Sequence, residues 1–384
     1  MAQRLTPTRR GVTNGRGRLA NRCGAGGMER VGRLGEDKQQ ARPTLQDIAQ
    51  ATGLSRATVS LVLRNNPSIP ERTRRRVLSA AEQLGYVYNR GAASLRSTQT
   101  RLVGLAINDL VNPYFAEVTA AIEDALTAQN RIVILSNTGE SVERQSAFAA
   151  TIREYNVDGL LVVPARGTDA AFADLLRSWR LPFVMVSRSV PGAETDLVQA
   201  DHRAGMVSAT EHLISLGHRR IGFIGLNTDI STGRERLEGY QQALARSGIE
   251  FEPQLVRSGP ASRDAGMSQV FALLDLPDPP TATVCFNDVV AFGAMLGLRA
   301  RSLTPGLDFS VVGFDDVAEA TLWRPALTSV SVPSKLIGQT AAELLVRRID
   351  DLDAPVSVVH LPTELIIRDT TGRPAPRRRQ ARKA

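Results

Sequence analysis

Between Ser55 and Arg64 the sequence sets out side chains suited to the edges and backbone of a DNA duplex. Arg56 and Arg64 carry guanidinium forks that donate to guanine edges or phosphate oxygens, and Thr58 and Ser60 add short hydroxyls. Ala57 and Leu61 offer only apolar contact, of the kind a thymine methyl or a sugar accepts. Base reading would rest on Arg56, Ala57 and Ser60, with Arg64 nearer the phosphates. For these groups to enter one groove they must share one short helix. Residues 43–64 supply it, as two short helices around a Gly53-Leu54-Ser55 turn, which is the helix-turn-helix layout. Thr44 with Asp47 three residues on forms a capping box that starts the first helix and brings Thr44 and Leu45 into the contact set; Ser55 caps the second helix. Ile48 and Ala49 face inward, as do Val59 and Leu63. An ordinary helical hairpin in a core is the competing reading of this stretch alone.

The rest of the chain offers little to a catalyst. His202, His212, His218 and His360 have neither metal-ligand spacing nor a serine arranged beside them. Gly222-Phe-Ile-Gly225 lies within a strand pattern and lacks the third glycine and downstream acid of a dinucleotide site. Cys23 and Cys285 give no disulfide framework and fit a reducing cytoplasm; Cys285 reads as a small packed hydrophobe. No enzyme activity, metal or cofactor is implied.

Charge is unevenly divided over the 384 residues, whose net is +8. Residues 1–42 hold ten basic and three acidic side chains, a net +7, and residues 43–100 hold eight and three, a net +5. Residues 101–370 hold 23 and 33, a net −10, and residues 371–384 hold six and none. A basic head on an acidic body suits a phosphate-binding module joined to a regulatory domain. A membrane is the weaker partner. No basic amphipathic helix with a large apolar face is visible, no eighteen-residue apolar run exists, and residues 1–30 lack the apolar stretch of a secretory signal.

Composition and periodicity divide the chain further. Residues 1–42, poor in large apolar side chains, are expected to be a disordered basic extension, and 371–384 a disordered basic tail without the heptads of a tetramerising coiled coil. A third helix follows the reader, with Pro70 at its first position, Val77, Ala81 and Leu84 as its apolar stripe, and Gly85 ending it. Its Arg72, Arg74, Arg75 and Arg76 offer phosphate contacts. After residue 100, apolar runs of strand length recur at 102–107, 131–135, 159–163, 183–187, 221–225, 282–286 and 310–314, with helical stretches between most of them. Strands covered on both faces imply parallel, doubly wound sheets. The number of strands implies two lobes with a cleft between them.

From residue 43 to about 369 an ordered series of motifs now stands out. It runs from the reader through Ala80-Ala-Glu-Gln-Leu-Gly-Tyr86 and Asn89-Arg-Gly-Ala-Ala-Ser-Leu-Arg96 to Asn112-Pro-Tyr-Phe-Ala116 and Val157-Asp-Gly-Leu160. Glu211-His-Leu-Ile-Ser-Leu-Gly-His-Arg-Arg-Ile221, Arg234-Glu-Arg-Leu-Glu-Gly-Tyr240, Phe286-Asn-Asp288, Ser310-Val-Val-Gly-Phe-Asp-Asp316 and Pro325-Ala-Leu-Thr328 complete it. In order and spacing this resembles the lactose/galactose repressor family of bacterial transcription regulators. The resemblance implies an N-terminal all-α helix-turn-helix domain over 43–88, a hinge over 89–100, and a two-lobed, periplasmic-binding-protein-like α/β body over 101–370. Lobe 1 would take about 101–200 plus 333–358, and lobe 2 about 201–332 plus 359–370.

The implied function is that of a cytoplasmic, homodimeric repressor. It would bind a pseudo-palindromic double-stranded operator and respond to a sugar, polyol or nucleobase-like effector held between the lobes. In the hinge, Asn89, Ala92 and Leu95 would contact DNA, with Leu95 as a wedge in the minor groove; Gly91 lowers the helix propensity there. Leu61 stands where family members often carry a guanine-reading arginine. Tyr114 and Phe115 would cover the effector pocket from lobe 1, with Ser187 and Arg188 after a lobe-1 strand. Thr232 and Arg236 would come from lobe 2, and Asn287 and Asp315 from the carboxyl ends of lobe-2 strands. An ion pair without ligand is the competing reading for the charged members. Ser187, Ala261 and Val332 replace bulkier or more polar residues usual in the family, so a roomier and less polar pocket is expected. A periplasmic sugar-binding protein would share the body but not the reader, and a nucleoid protein would have no use for the cleft. Leu95→Ala is expected to leave folding intact while weakening operator binding by at most a few kcal/mol and reducing the bend. Normal bending of the variant complex in a circular-permutation gel would remove the wedge role.

Overall fold

A computed structural model describes residues 43–64, 66–87 and 99–375. Asn89, Ala92 and Leu95 of the hinge, and both basic extremities, lie outside the described residues. The chain divides into two units, residues 1–89 and 90–384.

In the first unit, α1 (Leu45–Thr52), α2 (Arg56–Leu63) and α3 (Glu71–Gln83) enclose a small core of Ile48, Ala49, Val59, Val62, Val77 and Ala81. Val62 takes the buried place expected of Leu63, which is only half-buried, because α2 turns its Val59–Val62 edge to its neighbours. Asp47 accepts from the Thr44 backbone N–H at 2.7 Å and from its hydroxyl at 2.8 Å, closing the expected cap. Gly53 ends α1 at φ 59°, a left-handed conformation that costs a Cβ-bearing residue energy. Two arginines read as phosphate contacts hold this unit together instead. Arg76 donates to the Thr52 carbonyl, and Arg74 to the Asn66 carbonyl at 2.8 Å. Arg72 and Arg75 are exposed.

The second unit contains two six-stranded sheets. The first is built from β1 (Leu102–Ile107), α4 (Pro113–Thr127), β2 (Ile132–Asn137), α5 (Val142–Glu154), β3 (Gly159–Val162), α6 (Ala170–Ser178), β4 (Phe183–Val186) and β5 (Asp196–Ala200). After α7 (His202–Ser215) come β6 (Ile221–Leu226), α8 (Ser231–Arg246), β7 (Val256–Ser258), α9 (Arg263–Leu274), β8 (Ala282–Cys285), α10 (Asp288–Ala300), β9 (Ser310–Asp315) and β10 (Thr328–Ser331), which form the second. The chain then returns through α11 (Ser334–Asp350) and β11 (Val358–Leu361) to the first sheet before ending in β12 (Glu364–Ile366) of the second. The strand orders are β11-β5-β4-β3-β1-β2 and β12-β10-β9-β8-β6-β7, parallel throughout except for the antiparallel β10–β12 pair. All seven apolar runs fall on strands; the central ones are buried by helices on both faces and carry the core, whereas edge strand β2 leaves Ile132 and Leu135 exposed.

Two sequence expectations need correction. The final crossing between lobes follows Leu361, not residue 358, because β11 pairs in parallel with β5 of the first sheet. Helix α11, which precedes that strand, is seated on α4 where Gly338 leaves no room for a Cβ: one added there would lie 2.6 Å from the Ala121 Cβ. Finally, the C-terminal tail does not leave the body at residue 371. Gly372 donates its N–H to Ser310 Oγ at 3.0 Å, its carbonyl lies 2.9 Å from His218 Nε2, and Thr371 lies 3.0 Å from His212 Nε2. Among the described residues no helix is long and apolar enough to cross a membrane.

Where the chain enters β1, one carboxylate organises four donors. Asp158 accepts from the backbone N–H groups of Thr100 and Arg101 at 2.7 and 2.9 Å, from the Thr100 hydroxyl at 2.9 Å, and from Arg131 at 2.8 Å. The start of the first lobe is thereby fixed to the loop preceding β3. Asp158→Ala strands a buried guanidinium and is expected to destabilise the two-lobed unit by about 3 kcal/mol. Calorimetric melting within error of wild type would show that the anchor contributes nothing.

Candidate functional site

Parallel strands present their carboxyl ends to the gap between the two sheets, and the eight residues expected in the effector pocket are brought together there. All eight are buried and line one cavity. Tyr114 and Phe115 lie in the first turn of α4, which Asn112 caps by accepting from the Tyr114 N–H at 3.1 Å. Their rings meet edge to face at 4.9 Å. The Tyr114 hydroxyl lies 2.8 Å from Ser187 Oγ, where the backbone leaves β4 at φ 63°.

Arg236 is the centre of the opposite wall. It projects from α8, with its guanidinium carbon 3.8 Å from the centroid of the Phe314 ring and 4.7 Å from that of Phe286. Its Nη1 donates to the Phe286 carbonyl, and its Nη2 reaches Asp315 Oδ1 at 3.3 Å and His202 Nδ1 at 3.2 Å. Thr232 lies one helical turn earlier on α8. Asn287 caps α10 by accepting from the Val290 N–H at 3.0 Å. Asp315 ends β9 at φ 110° and Asp316 follows at φ 56°, so consecutive residues hold conformations that L side chains seldom adopt. Burial pushes the Asp315 carboxyl up to about 7, against the opposing pull of Arg236. Burial and the neighbouring Arg236 charge drive the His202 imidazole well below its ordinary value, so it is neutral.

Arg188 lines the same cavity and also forms an ion pair. It is tied within lobe 1, donating to Glu140 at 2.9 and 3.0 Å and to the Pro164 carbonyl at 3.0 Å. Burial would raise the Glu140 carboxyl, but Arg188, Asn108 and the Arg166 N–H together hold it below its ordinary range. The pocket is also more polar than its departures from family pattern imply. Ala261 does line it, but so do Asn108, Asp109 and Glu140, which sequence reasoning did not single out, and His202, which it considered only as a metal ligand or catalytic base. Only their positions at strand ends, where α/β ligands gather, could have pointed to them.

On α2, the side chains of Arg56 and Ala57 are exposed, as is that of Arg64 at its end, and those of Thr58, Ser60 and Leu61 are half-buried. Ser55 Oγ accepts from the Thr58 N–H at 3.1 Å and lies 2.9 Å from its hydroxyl, so this pair shapes the helix start. Arg64 bends back onto the Ser60 carbonyl at 3.1 Å. Thr44 is exposed and Leu45 half-buried at the start of α1.

Comparison with known proteins bears on both units. Residues 44–89 match bacterial regulatory proteins of the lacI family, and residues 210–371 match the periplasmic binding protein-like domain. The transcriptional repressor PurR of Photobacterium profundum is 32% identical over 326 residues, covering 85% of this chain and 97% of the relative. The repressor CytR of Escherichia coli (strain K12) is 30% identical over 334 residues, covering 87% and 98%. The chain belongs to the lacI family.

Solved structures of the family agree in fold. The Lac repressor dimer bound to operator and the anti-inducer ONPF aligns with a TM-score of 0.78 at 28% identity, covering 86% of this chain and 100% of that one. The regulator CelR in complex with cellobiose aligns at 0.66 and 31%, with the same coverage. As a lacI-family member this protein is a ligand-responsive, DNA-binding transcriptional repressor that works as a dimer on operator DNA, and it is not an enzyme.

The raised Asp315 carboxyl makes a signed prediction. Its folded-state value of about 7 lies above the ordinary 3.8, so the folded state holds that proton more tightly. The stability this contributes is full below about pH 4 and is lost as pH rises to about 7. Asp315→Asn cannot titrate. The melting temperature of the variant relative to wild type should therefore rise between about pH 4 and 7, on top of a constant offset from the lost Arg236 contact. A difference independent of pH would show that Asp315 is ionised throughout.

Proposed function

We propose that the effector is a small, uncharged, hydroxyl-rich molecule, a sugar or polyol, bound between the lobes in the cytoplasm. The observation that carries this reading is the buried Arg236–Asp315 pair, facing Tyr114 and Ser187 across one cavity. A guanidinium that only donates beside a carboxylate that accepts matches neighbouring hydroxyls, each of which can do both. The charges lining the cavity pair among themselves, Arg188 with Glu140 and Arg236 with Asp315, so among its described lining residues no buried arginine is left to neutralise an anionic ligand. Tyr114 and Phe115 supply an aromatic wall from lobe 1, whereas the Phe286 ring faces Arg236 and Ala261 gives no opposing plane. That asymmetry favours a sugar face over a nucleobase stacked on both sides. Arg56, Ala57 and Ser60 read operator bases, with Thr44, Leu45, Ser55, Thr58, Leu61 and Arg64 positioning the helix, and Asn89, Ala92 and Leu95 complete the contact through the hinge.

Thermal-shift measurements on the full chain with D-ribose, D-galactose, cellobiose, myo-inositol, adenine and cytidine test the ligand class. At a hundredfold excess over Kd a true effector adds about 2.7 kcal/mol of stability, a shift of several degrees. A shift with adenine or cytidine alone would replace the polyol reading by a nucleobase one. Asp315→Asn should weaken binding of the stabilising compound at least tenfold, roughly 1.4 kcal/mol, while ligand-free operator binding in a mobility-shift assay stays intact. Unchanged affinity for that compound would reduce the Arg236–Asp315 pair to a structural contact.

A further inference from the structure

Three buried polar atoms in the effector cavity lack a hydrogen-bond partner among the described residues: Asn108 Oδ1, His202 Nε2 and Arg236 Nε. Leaving such atoms unpaired is costly, and a folded protein retains them where something else completes them. His202 is the most informative. It is 2% exposed, opens α7 directly after the Asp201 cap, and packs beside the Phe314 ring with centroids 5.8 Å apart. Its Nδ1 faces a guanidinium at 3.2 Å, and a guanidinium can only donate. Nδ1 must therefore be the acceptor, and the single ring proton of the neutral imidazole must sit on Nε2. The Ser187 backbone lies beside the ring and favours its protonated form, but its geometry with Nε2 falls short of a full hydrogen bond. The result is a buried donor on the wall of the cavity that lacks a well-formed acceptor among the described residues.

Asn108 presents the complementary case. Its amide nitrogen is committed to Glu140 at 2.8 Å, which orients its oxygen as an unused acceptor, and the residue is 1% exposed. One orphan donor comes from lobe 2 and one orphan acceptor from lobe 1, on the same cavity. We propose that His202 is an effector-recognition residue whose Nε2–H donates to a ligand oxygen, while Asn108 Oδ1 accepts from a ligand hydroxyl on the opposite lobe. The ligand must then offer an acceptor to one lobe and a donor to the other. A polyol does so with two hydroxyls, and a compound whose hydroxyls are replaced by ethers fails at Asn108. This assignment rests on the cleft being the effector site.

The test uses the full chain with His202→Phe, which keeps a ring against Phe314 but has no donor, and His202→Gln, which restores one. Without added compound, His202→Phe should melt within about 3 °C of wild type, because the lost Arg236 contact is offset by removal of an unpaired buried donor. Whichever of D-ribose, D-galactose, cellobiose or myo-inositol stabilises wild type should bind His202→Phe roughly tenfold or more weakly, with partial recovery in His202→Gln. Nitrogen-15 NMR of the unliganded wild type should show a neutral ring protonated on Nε2 from about pH 5 to 8. Equal affinity of His202→Phe for the stabilising sugar, a loss of many degrees in its melting temperature, or an Nδ1-protonated ring would each overturn the assignment. If none of the four shifts wild type, the polyol reading itself falls, and the tautomer measurement decides the orientation of His202 independently of it.

Discussion

A guanidinium buried in the second lobe sets the terms for everything around it. Arg236 has left water entirely, and a desolvated cation is tolerable only where hydrogen bonds and electron-rich faces replace its hydration. Two phenylalanine rings, one backbone carbonyl, one carboxylate and one imidazole nitrogen do so. Each requirement propagates outward. Phe314 and Asp315 must both come from the end of β9, which places consecutive strand residues on either side of one charge and carries the chain into two strained conformations. Phe286 must offer its ring and its carbonyl together, which fixes how β8 turns into α10. His202 must be neutral and must accept, which fixes its tautomer. The arrangement of the site follows from the contacts that one buried ion requires.

The first lobe solves the same problem separately. Arg188 and Glu140 neutralise each other within it, with Asn108 and the Arg166 N–H completing the carboxylate. Because each lobe balances its own charge, neither needs the other to be electrostatically complete. The cleft can therefore open at little electrostatic cost, and closure is left to hydrogen bonds such as that from the Ser189 N–H to Ser231 Oγ at 3.0 Å and to whatever fills the cavity. A design with the cation on one lobe and its only anion on the other would lock shut without a ligand.

How much of this was legible in the sequence follows from how local each signal is. Strands such as Leu102–Ile107 and Ser310–Asp315 are central, buried on both faces, and appear as apolar runs. Strands β5, β10 and β11 carry Asp196 and Gln199, Thr328 and Ser329, and an exposed Val358, so their composition conceals them. Their strand character comes from neighbours in the sheet, not from their own residues. The pocket shows the same division. Arg236 and Asp315 were legible through motif and position, whereas Glu140 gains its role from an arginine 48 residues away. His202 lacked metal spacing, which says nothing about a histidine held by a guanidinium.

These features bear on how a ligand in the cleft reaches the DNA. The chain passes between the lobes three times, after β5, after β10 and after β11, so closure is a motion about three strands of backbone that bend together. The hinge residues feed by chain connectivity into the first lobe alone, at the point where Asp158 grips Thr100 and Arg101. A rotation of that lobe therefore carries Thr100 and Arg101 with it. A ligand that grips Asn108 or Tyr114 on one side and Arg236 or His202 on the other discriminates between open and closed cleft. Its influence on operator affinity is bounded by that discrimination, commonly about 1–3 kcal/mol, and operator must alter ligand affinity by the same factor. Contacts to a single lobe, however tight, would add affinity and transmit nothing. Regulation therefore depends on the polar groups that the two lobes leave unpaired toward each other, more than on the strength of the Arg236 site itself.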